Sequence, residues 1–369
     1  MKGVSAFFRR EPVLVISAVA ALLSMLAVPP GPGYMDYIDL RVLCLLFCLM
    51  AVVDGLKGCG LFAVMAQRLL TGRGSLRRVT MILVLLPFFT SMLVTNDVSL
   101  ITFVPFAVLI LQAIGRTDRL IPVIVLQTVA ANLGSMATPV GNPQNLYIYA
   151  KYSVPTGDFF AAVLPIAGAS LVLLILAVVF GPKGGIEVNF GERAEITHVR
   201  RLALCIALFI MCLLAVMRVV HYGAVTVVVF LTLLLVDRAA LKQVDYCLLL
   251  TFVFFFIFAG NIGNIPVVND TLSAMLDGST FFTSLLASQV ISNVPAAVLL
   301  AGFTEDWKGL LLGTDVGGLG TIIASLASLI SFKLYSAVPG SRAGKYMLYF
   351  TVVNVAALVL LIPLSLLIM

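Results

Sequence analysis

Charged residues are scarce in this sequence. Only 11% of the 369 residues are Asp, Glu, Lys or Arg, whereas 61% are hydrophobic, and the mean hydropathy is +1.13. A chain with so little polar surface cannot cover a water-soluble globule of this size. The sequence therefore predicts a protein that lies in a lipid bilayer.

The sequence also lacks the short motifs of several enzyme classes. It has no HExxH, GxSxG or GxxxxGK[ST] pattern, only two histidines, and six cysteines without CxxC spacing. These absences argue against a metal centre, a hydrolase and a built-in nucleotide-driven pump. We therefore expect no enzymatic activity and no cofactor, while a separate ATPase subunit stays open. We also expect no nucleic-acid partner, because Lys and Arg lie in short connectors between apolar runs rather than on one basic patch.

Long apolar runs are present instead. Residues 13–28, 159–180, 202–217 and 347–369 approach the ~20 residues that a helix needs to cross the hydrocarbon core. Short basic clusters separate the apolar stretches, and the positive-inside rule assigns these clusters to the cytoplasmic side. They are Lys2/Arg9/Arg10, Arg73/Arg77/Arg78, Arg116/Arg119, Lys183/Arg193/Arg200/Arg201, Arg238/Lys242 and Arg342/Lys345.

The connectors 29–39 and 263–279 contain no Lys or Arg and carry two aspartates each, so we expect them to face outward. This pattern predicts an integral inner-membrane protein with a cytoplasmic N-terminus and an outer C-terminus. Membrane lipid is then a constant partner, and a homodimer is an open alternative.

Two segments predict hairpins inside the membrane. Residues 79–114 run from one basic cluster to the next and have Thr95-Asn96-Asp97 in the middle. Residues 280–303 run between acidic loops, with Ser292-Asn293 in the middle, and are too short for two crossings, so this hairpin must be re-entrant. Non-helical backbone at membrane depth is tolerated where it is buried in protein or lines a wet cavity.

A polar pattern after each hairpin repeats without a gap. Five positions correspond between the two copies. In the first copy they are Asn132, Gly134, Thr138, Asn142 and Asn145, and in the second they are Asp315, Gly317, Thr321, Ser325 and Ser328. Prolines in the first copy and glycines in the second would break a continuous helix. Both stretches, about 120–150 and about 309–335, are therefore predicted to be discontinuous helices.

The predicted fold class is an all-α polytopic membrane protein with two inverted repeats. Each repeat has a re-entrant hairpin and a discontinuous helix, and the whole chain has about nine full spans plus two hairpins. The first repeat comprises residues 1–182, a cytoplasmic linker comprises 183–201, and the second repeat comprises 202–369. The first hairpin is anchored on the cytoplasmic side and the second on the outer side.

At these motifs the sequence resembles the ion transporter superfamily, especially its arsenite permease and sodium/proton antiporter branch. Citrate transporters and divalent-anion/sodium symporters are more distant relatives. Thr95-Asn96-Asp97, Gly141-Asn142-Pro143-Gln144-Asn145 and Ser292-Asn293-Val294-Pro295 look like the hairpins and first broken helix of that branch. The resemblance implies a transporter, but Asp97 and Val294-Pro295 depart from the dicarboxylate symporters, whose tips resemble Ser-Asn-Thr.

Two hairpin tips and two broken helices that meet near the midplane would offer half-helix N-termini to an anion. Hydroxyl and amide side chains there are candidate substrate ligands, and their alternative role is helix capping or packing. The candidates are Thr95, Asn96, Thr138, Asn142, Asn145, Ser292, Asn293, Thr321, Ser325 and Ser328.

Asp97 and Asp315 are the candidate coupling residues. At membrane depth, the loss of hydration favours a neutral carboxyl group, so such a group can take up and release a proton during a cycle. For Asp315 the alternative is a loop or capping role near the outer surface. Sodium is the other possible coupling ion.

We therefore predict a secondary active transporter that moves a small anion, either an inorganic oxyanion or a carboxylate, by alternating access. Coupling to a proton or a sodium gradient is expected. A sodium/proton antiporter is the alternative because Asp97 suits a cation, and an intramembrane aspartyl enzyme is a distant one. A passive channel also stays open, because broken helices build pores as well.

Overall fold

The computed structural model describes residues 11–182, 184–188 and 194–369. The basic residues Lys2, Arg9, Arg10, Lys183 and Arg193, which contribute to two predicted cytoplasmic clusters, lie outside the described residues.

The first half of the chain forms nine helices among the described residues. They are α1 (Pro12–Ala27), α2 (Tyr34–Tyr37), α3 (Leu40–Gly58), α4 (Leu61–Leu70), α5 (Leu76–Thr90), α6 (Asn96–Ala113), α7 (Leu120–Ser135), α8 (Pro143–Lys151) and α9 (Thr156–Val179). A single 3₁₀ turn, Thr117–Arg119, precedes α7. Strand β1 (Gly72–Ser75) lies before α5 and pairs antiparallel with β2 (Gly185–Val188).

The second half also contains nine described helices. They are α10 (Val199–Val216), α11 (Tyr222–Val236), α12 (Arg238–Gln243), α13 (Tyr246–Gly263), α14 (Pro266–Ile291), α15 (Asn293–Leu300), α16 (Trp307–Gly317), α17 (Leu326–Ser336) and α18 (Ala343–Ile368).

Each half contains one helical hairpin. In the first, α5 and α6 are joined by residues 91–95. In the second, Ser279 has extended backbone angles (φ −172°, ψ 105°) and divides α14, so that only its C-terminal part forms the first arm. Ser292 then turns the chain into α15 with a left-handed φ of 75°.

Each half also contains one interrupted helix. Residues 136–142 separate α7 from α8, and Asn142 caps α8 by accepting a hydrogen bond from the Asn145 N–H at 3.0 Å. Pro143 occupies the first position of α8, where the missing N–H costs nothing. In the second half, residues 318–325 separate α16 from α17. The break follows from Gly317, Gly318 and Gly320, and Gly320 has a φ of +106°.

Contacts between connectors identify the two ends of the helix bundle. Arg77 donates to the Gly181 carbonyl at 3.2 Å, and Arg201, which is partly exposed, forms an ion pair with the buried Asp237. We call this end, with the neighbouring Arg238, the basic end. The membrane side that the basic end faces stays a prediction.

The two hairpins enter from opposite ends. The first begins beside Arg77 at the basic end. The second is closed at its base by Thr280 and Thr304, whose hydroxyls lie 3.3 Å apart. The Thr304 carbonyl accepts a 2.8 Å bond from Tyr152, just beyond α8, at the other end of the bundle, which we call the opposite end.

Among the described residues, five helices are long and apolar enough to cross a membrane, and up to six if the α3–α4 pair, bent by 54°, counts as one span. The all-α polytopic class is therefore confirmed, with the small β1–β2 ribbon as an addition. One of these five helices, α6, is an arm of the first hairpin, whereas the half-helices and the other hairpin arms are shorter than 18 residues. Nine full spans and an inverted-repeat relation stay predictions.

Candidate functional site

The first hairpin tip is bound to the interruption of the helix in the same half. Thr138 donates its hydroxyl proton to the Met92 carbonyl at 2.5 Å. The backbone N–H of Asn96 donates to the Gly141 carbonyl at 3.2 Å. Both bonds satisfy main-chain groups that would otherwise be unpaired at the centre of the bundle.

The second tip repeats these two bonds at equivalent positions. Thr321 donates to the Gln289 carbonyl at 3.0 Å, and the N–H of Asn293 donates to the Ala324 carbonyl at 2.9 Å. Both tip asparagines also accept a 3.0 Å bond from the next backbone N–H. The two threonines and the two tip asparagines therefore each have a structural role.

The two halves are joined through the interrupted helices. Asn132 on α7 accepts a 3.0 Å bond from Ser325 and donates to Ser328 at 3.3 Å and to the Gly318 carbonyl at 3.4 Å. The same side chain accepts a 3.1 Å bond from the Asn96 amide. Asn132 thus connects the first hairpin tip to the interrupted helix of the other half.

Asp315 makes the reciprocal connection. Its Oδ1 atom accepts bonds from Asn142 at 3.3 Å and from Gln144 at 3.4 Å, both on the interrupted helix of the first half. Only 3% of Asp315 is exposed and the residue lies within α16, so it is not part of a surface loop. The residue lies deep because α16 carries it from the opposite end to the centre.

A cavity of about 680 Å³ leads from the basic end to the first tip. Its walls include Asp54 and Lys57 from the end of α3, Asp245 before α13, and Thr95 and Asp97 at the tip. Asp97 stands in the first turn of α6, where a negative charge is favoured by the helix dipole. Its Oδ1 atom is buried and has no hydrogen-bond partner among the described residues.

A smaller chamber of about 80 Å³ shares Asp97 and Asp245 with this cavity and reaches Ser292 and Val294 at the second tip. Both tips therefore border space that is reached from the basic end. We call the two cavities together the vestibule.

The opposite end is filled by side chains. Tyr147 on α8 packs against Phe252 and Phe256 on α13, with ring centroids 6.4 and 5.6 Å apart. Beyond α8, the Tyr152 hydroxyl bonds to the Ala301 carbonyl at 3.1 Å. Arg218 binds the Tyr149 and Ser153 carbonyls, each at 2.8 Å, and covers the C-terminus of α8.

The structure brings most of the predicted ligands together, but in different settings. Asn96, Ser325 and Ser328 meet at Asn132, and Asn142 meets Asp315. Ser135 joins these two groups, because its hydroxyl accepts from Asn142 at 3.2 Å and donates to the Asn132 carbonyl at 2.9 Å. The predicted residues in or beside the vestibule are Thr95, Asp97, Ser292 and Asn293. Asn145 donates to the Met136 carbonyl at 3.2 Å, whereas Thr138 is half-buried and Thr321 is exposed behind the tips.

Three important polar residues were missing from the predicted set: Asn132, Gln144 and Gln289. Asn132 occupies the position equivalent to Asp315 in the repeated pattern, so the alignment of the copies already pointed to it. Gln144 lies within the Asn142–Asn145 motif. Gln289 has no such signal, because its counterpart in the first half is Met92.

Comparison with known proteins agrees with this architecture. The citrate transporter family matches residues 6–306. An uncharacterized transporter of Methanocaldococcus jannaschii is 28% identical over 350 residues, which cover 95% of this chain and 96% of that protein. The inner membrane protein YbiR of Escherichia coli is 31% identical over 303 residues, 80% of each chain.

A further relative is the silicon efflux transporter LSI3 of Oryza sativa subsp. japonica, which is 34% identical over 180 residues, 45% of this chain and 36% of that protein. These relatives, the family match over most of the chain and the apolar helices together identify a membrane transporter. The chain belongs to the citrate transporter family.

Proposed function

We propose that this protein is a secondary active transporter that moves a small, oxygen-rich weak acid by alternating access. The observation that carries the proposal is the vestibule, which reaches both hairpin tips from the basic end while aromatic packing fills the opposite end. One-sided access to a central polar site is what one state of such a cycle requires.

The opposed hairpins support an inverted-repeat mechanism. Equivalent bonds hold each tip to its interrupted helix, and reciprocal contacts of Asn132 and Asp315 join the halves. A rearrangement that exchanges these contacts would close the basic end and open the opposite one. The positive-inside argument makes the basic end cytoplasmic, so this state would face inward.

The charge of the vestibule bears on the form of the substrate. Among the described residues, three aspartates, Asp54, Asp97 and Asp245, line its walls against the two lysines Lys57 and Lys333. Excess negative charge in a cleft lowers the local concentration of anions. We therefore propose that the oxyanion or carboxylate predicted from sequence is taken up as its uncharged acid. The silicon efflux activity named for the rice relative suits a neutral hydroxylated solute.

Coupling is assigned to Asp97, which borders the vestibule and carries an unpaired buried oxygen. A proton bound there would be exchanged with the solution at the basic end and would neutralise the tip. The same carboxylate supports sodium/proton exchange as the second candidate function, because acidic groups attract cations.

The test is uptake into proteoliposomes, with the interior pH recorded by a trapped dye. Silicic acid, arsenite, phosphate, sulfate, citrate, succinate, sodium and lithium are offered under imposed pH and sodium gradients. Saturable uptake of one weak acid, with counterflow and proton movement, is expected. For citrate or succinate, uptake should rise as the pH falls and the uncharged fraction grows.

Asp97→Asn should abolish proton movement, whereas Asp118→Asn should behave as wild type. Asp118 is the matched control because it pairs with Arg116 and Arg119 on an exposed loop. Uptake that follows the concentration of the fully ionised form would overturn the uncharged-acid proposal. Sodium or lithium signals without any acid would establish the antiporter instead, and non-saturable flux would indicate a channel.

A further inference from the structure

Asp315 is a buried carboxylate whose hydrogen-bond donors are neutral amides. Its Oδ1 atom accepts from Asn142 and Gln144, and Asn145 also contacts the carboxylate. No lysine or arginine forms an ion pair with Asp315 in the described part of the chain. An isolated negative charge in such a place is costly, so a positive ligand or a proton must balance it.

Three oxygen atoms of these contacting residues have no hydrogen-bond partner among the described residues. They are Oδ2 of Asp315, Oε1 of Gln144 and Oδ1 of Asn145. The three residues are 3%, 1% and 0% exposed, respectively, so bulk water does not satisfy these atoms. Buried acceptors are normally paired, and three unpaired acceptors on contacting residues can together bind a ligand.

The amide orientations are fixed by their other bonds. The Asn145 amide nitrogen donates to the Met136 carbonyl, and the Gln144 amide nitrogen donates to Asp315. The carbonyl ends of both side chains are therefore left as acceptors. A proton on Asp315 would satisfy two of the three oxygens, whereas a small cation would satisfy all three.

We infer that Asp315, Gln144 and Asn145 form a binding site for a monovalent cation of the size of Na⁺ between the two halves of the protein. One carboxylate balances one positive charge, and amide oxygens are suitable ligands for a hard cation. A divalent ion fits poorly, because a single carboxylate would leave one of its two positive charges unbalanced in a buried site.

The site has a mechanical consequence. Asp315 belongs to α16 in the second half, whereas Gln144 and Asn145 belong to α8 in the first. A bound cation therefore stabilises the contact between the halves, and its release weakens this contact. Describing the cation as a coupling ion depends on the proposed transport function, but cation binding itself does not.

Cation binding is tested on the full chain purified in detergent, by thermal unfolding in NaCl, KCl or choline chloride at constant ionic strength and constant pH. Saturating sodium should raise the apparent melting temperature by roughly 5 °C. Potassium and choline should have little effect, because both are larger than Na⁺ and the residues of the site, at most 3% exposed, are closely surrounded by protein. Equal shifts in all three salts would overturn the inference.

Asp315→Asn should remove the sodium-dependent shift, and Asp118→Asn, which changes an exposed, arginine-paired carboxylate outside this site, should retain it. Gln144→Leu is a second variant, which tests the site if Asp315→Asn does not fold. It should raise the half-saturating sodium concentration at least tenfold. Retention of the full sodium response in both Asp315→Asn and Gln144→Leu would contradict the site.

A third result would show that a proton, and not a cation, balances the charge of Asp315. In that case stability would depend on pH but not on sodium, and Asp315→Asn would remove the pH dependence. The readout is binding, so a failure here leaves the proposed transport function to be judged by the uptake assay alone.

Discussion

The two hairpin tips share a pair of hydrogen bonds but differ in what surrounds them. At the first tip, Met92 offers only its carbonyl to Thr138. At the second, Gln289 adds a side chain that donates to the Gly317 and Leu319 carbonyls at 2.7 and 2.9 Å.

The same Gln289 side chain accepts from the Thr321 N–H at 2.9 Å. Three additional bonds therefore hold the second tip to its interrupted helix. The two tips share the same pair of backbone contacts, but the second is held by more hydrogen bonds. We therefore expect the first tip, beside Asp97, to separate from its interrupted helix first when the halves rearrange.

The close packing behind the tips also differs and gives the largest expected effect. A methyl group at Gly134 would overlap with the Phe88 carbonyl oxygen, whereas one at the equivalent Gly317 would lie 3.0 Å from the Leu285 Cα. Gly134→Ala should destabilise the protein by about 3 kcal/mol and Gly317→Ala by about 1 kcal/mol. Melting temperatures in detergent measure both losses of stability. Equal losses would contradict the expectation that the packing is closer at Gly134 than at Gly317.

Replacing the additional bonds tests the comparison directly. Gln289→Met copies the first half and leaves two carbonyls and one N–H without partners, so we expect a loss of about 2 kcal/mol. Hydrogen exchange should accelerate at residues 317–321 and not at 136–142. Met92→Leu is the matched control and should change stability little, because only the Met92 carbonyl takes part. Unchanged exchange in Gln289→Met would show that the additional bonds do not stabilise the second tip.

The tip asparagines should separate structural from transport roles. Asn96 donates to Asn132 and so supports the junction of the halves, whereas the Asn293 side chain makes the bonds of its own tip. Asn96→Ala should cost about 1 kcal/mol of stability and also reduce transport. Asn293→Ala should reduce transport with a smaller loss of stability. Comparing melting temperature with uptake rate checks this, and a reversed order would refute it.

The smallest effects are expected at the two threonines. Thr138→Val removes the bond to Met92 and should cost about 1 kcal/mol, since no other side chain holds that carbonyl. Thr321→Val should cost less, about 0.5 kcal/mol, because Gln289 still binds the same segment. Thr138→Ser and Thr321→Ser keep the hydroxyl and are the controls in the same melting assay. A larger loss at Thr321 would contradict the proposed order.

The sequence by itself determined the membrane class, the two hairpin turns and the two interrupted helices. These features depend on local properties: the length of apolar runs, prolines and glycines that interrupt helices, and residues such as Asn142 that cap them. The matched positions of the two polar patterns are visible in the sequence for the same reason.

Only the tertiary structure decided which polar groups meet. Asn132 and Ser328 are 196 residues apart, and Asn142 and Asp315 are 173 apart, so no local pattern pairs them. The role of Gln289 and the side on which the vestibule opens were equally hidden. These features depend on how separately folded segments pack in the bilayer, where buried polar groups must find partners in other parts of the chain.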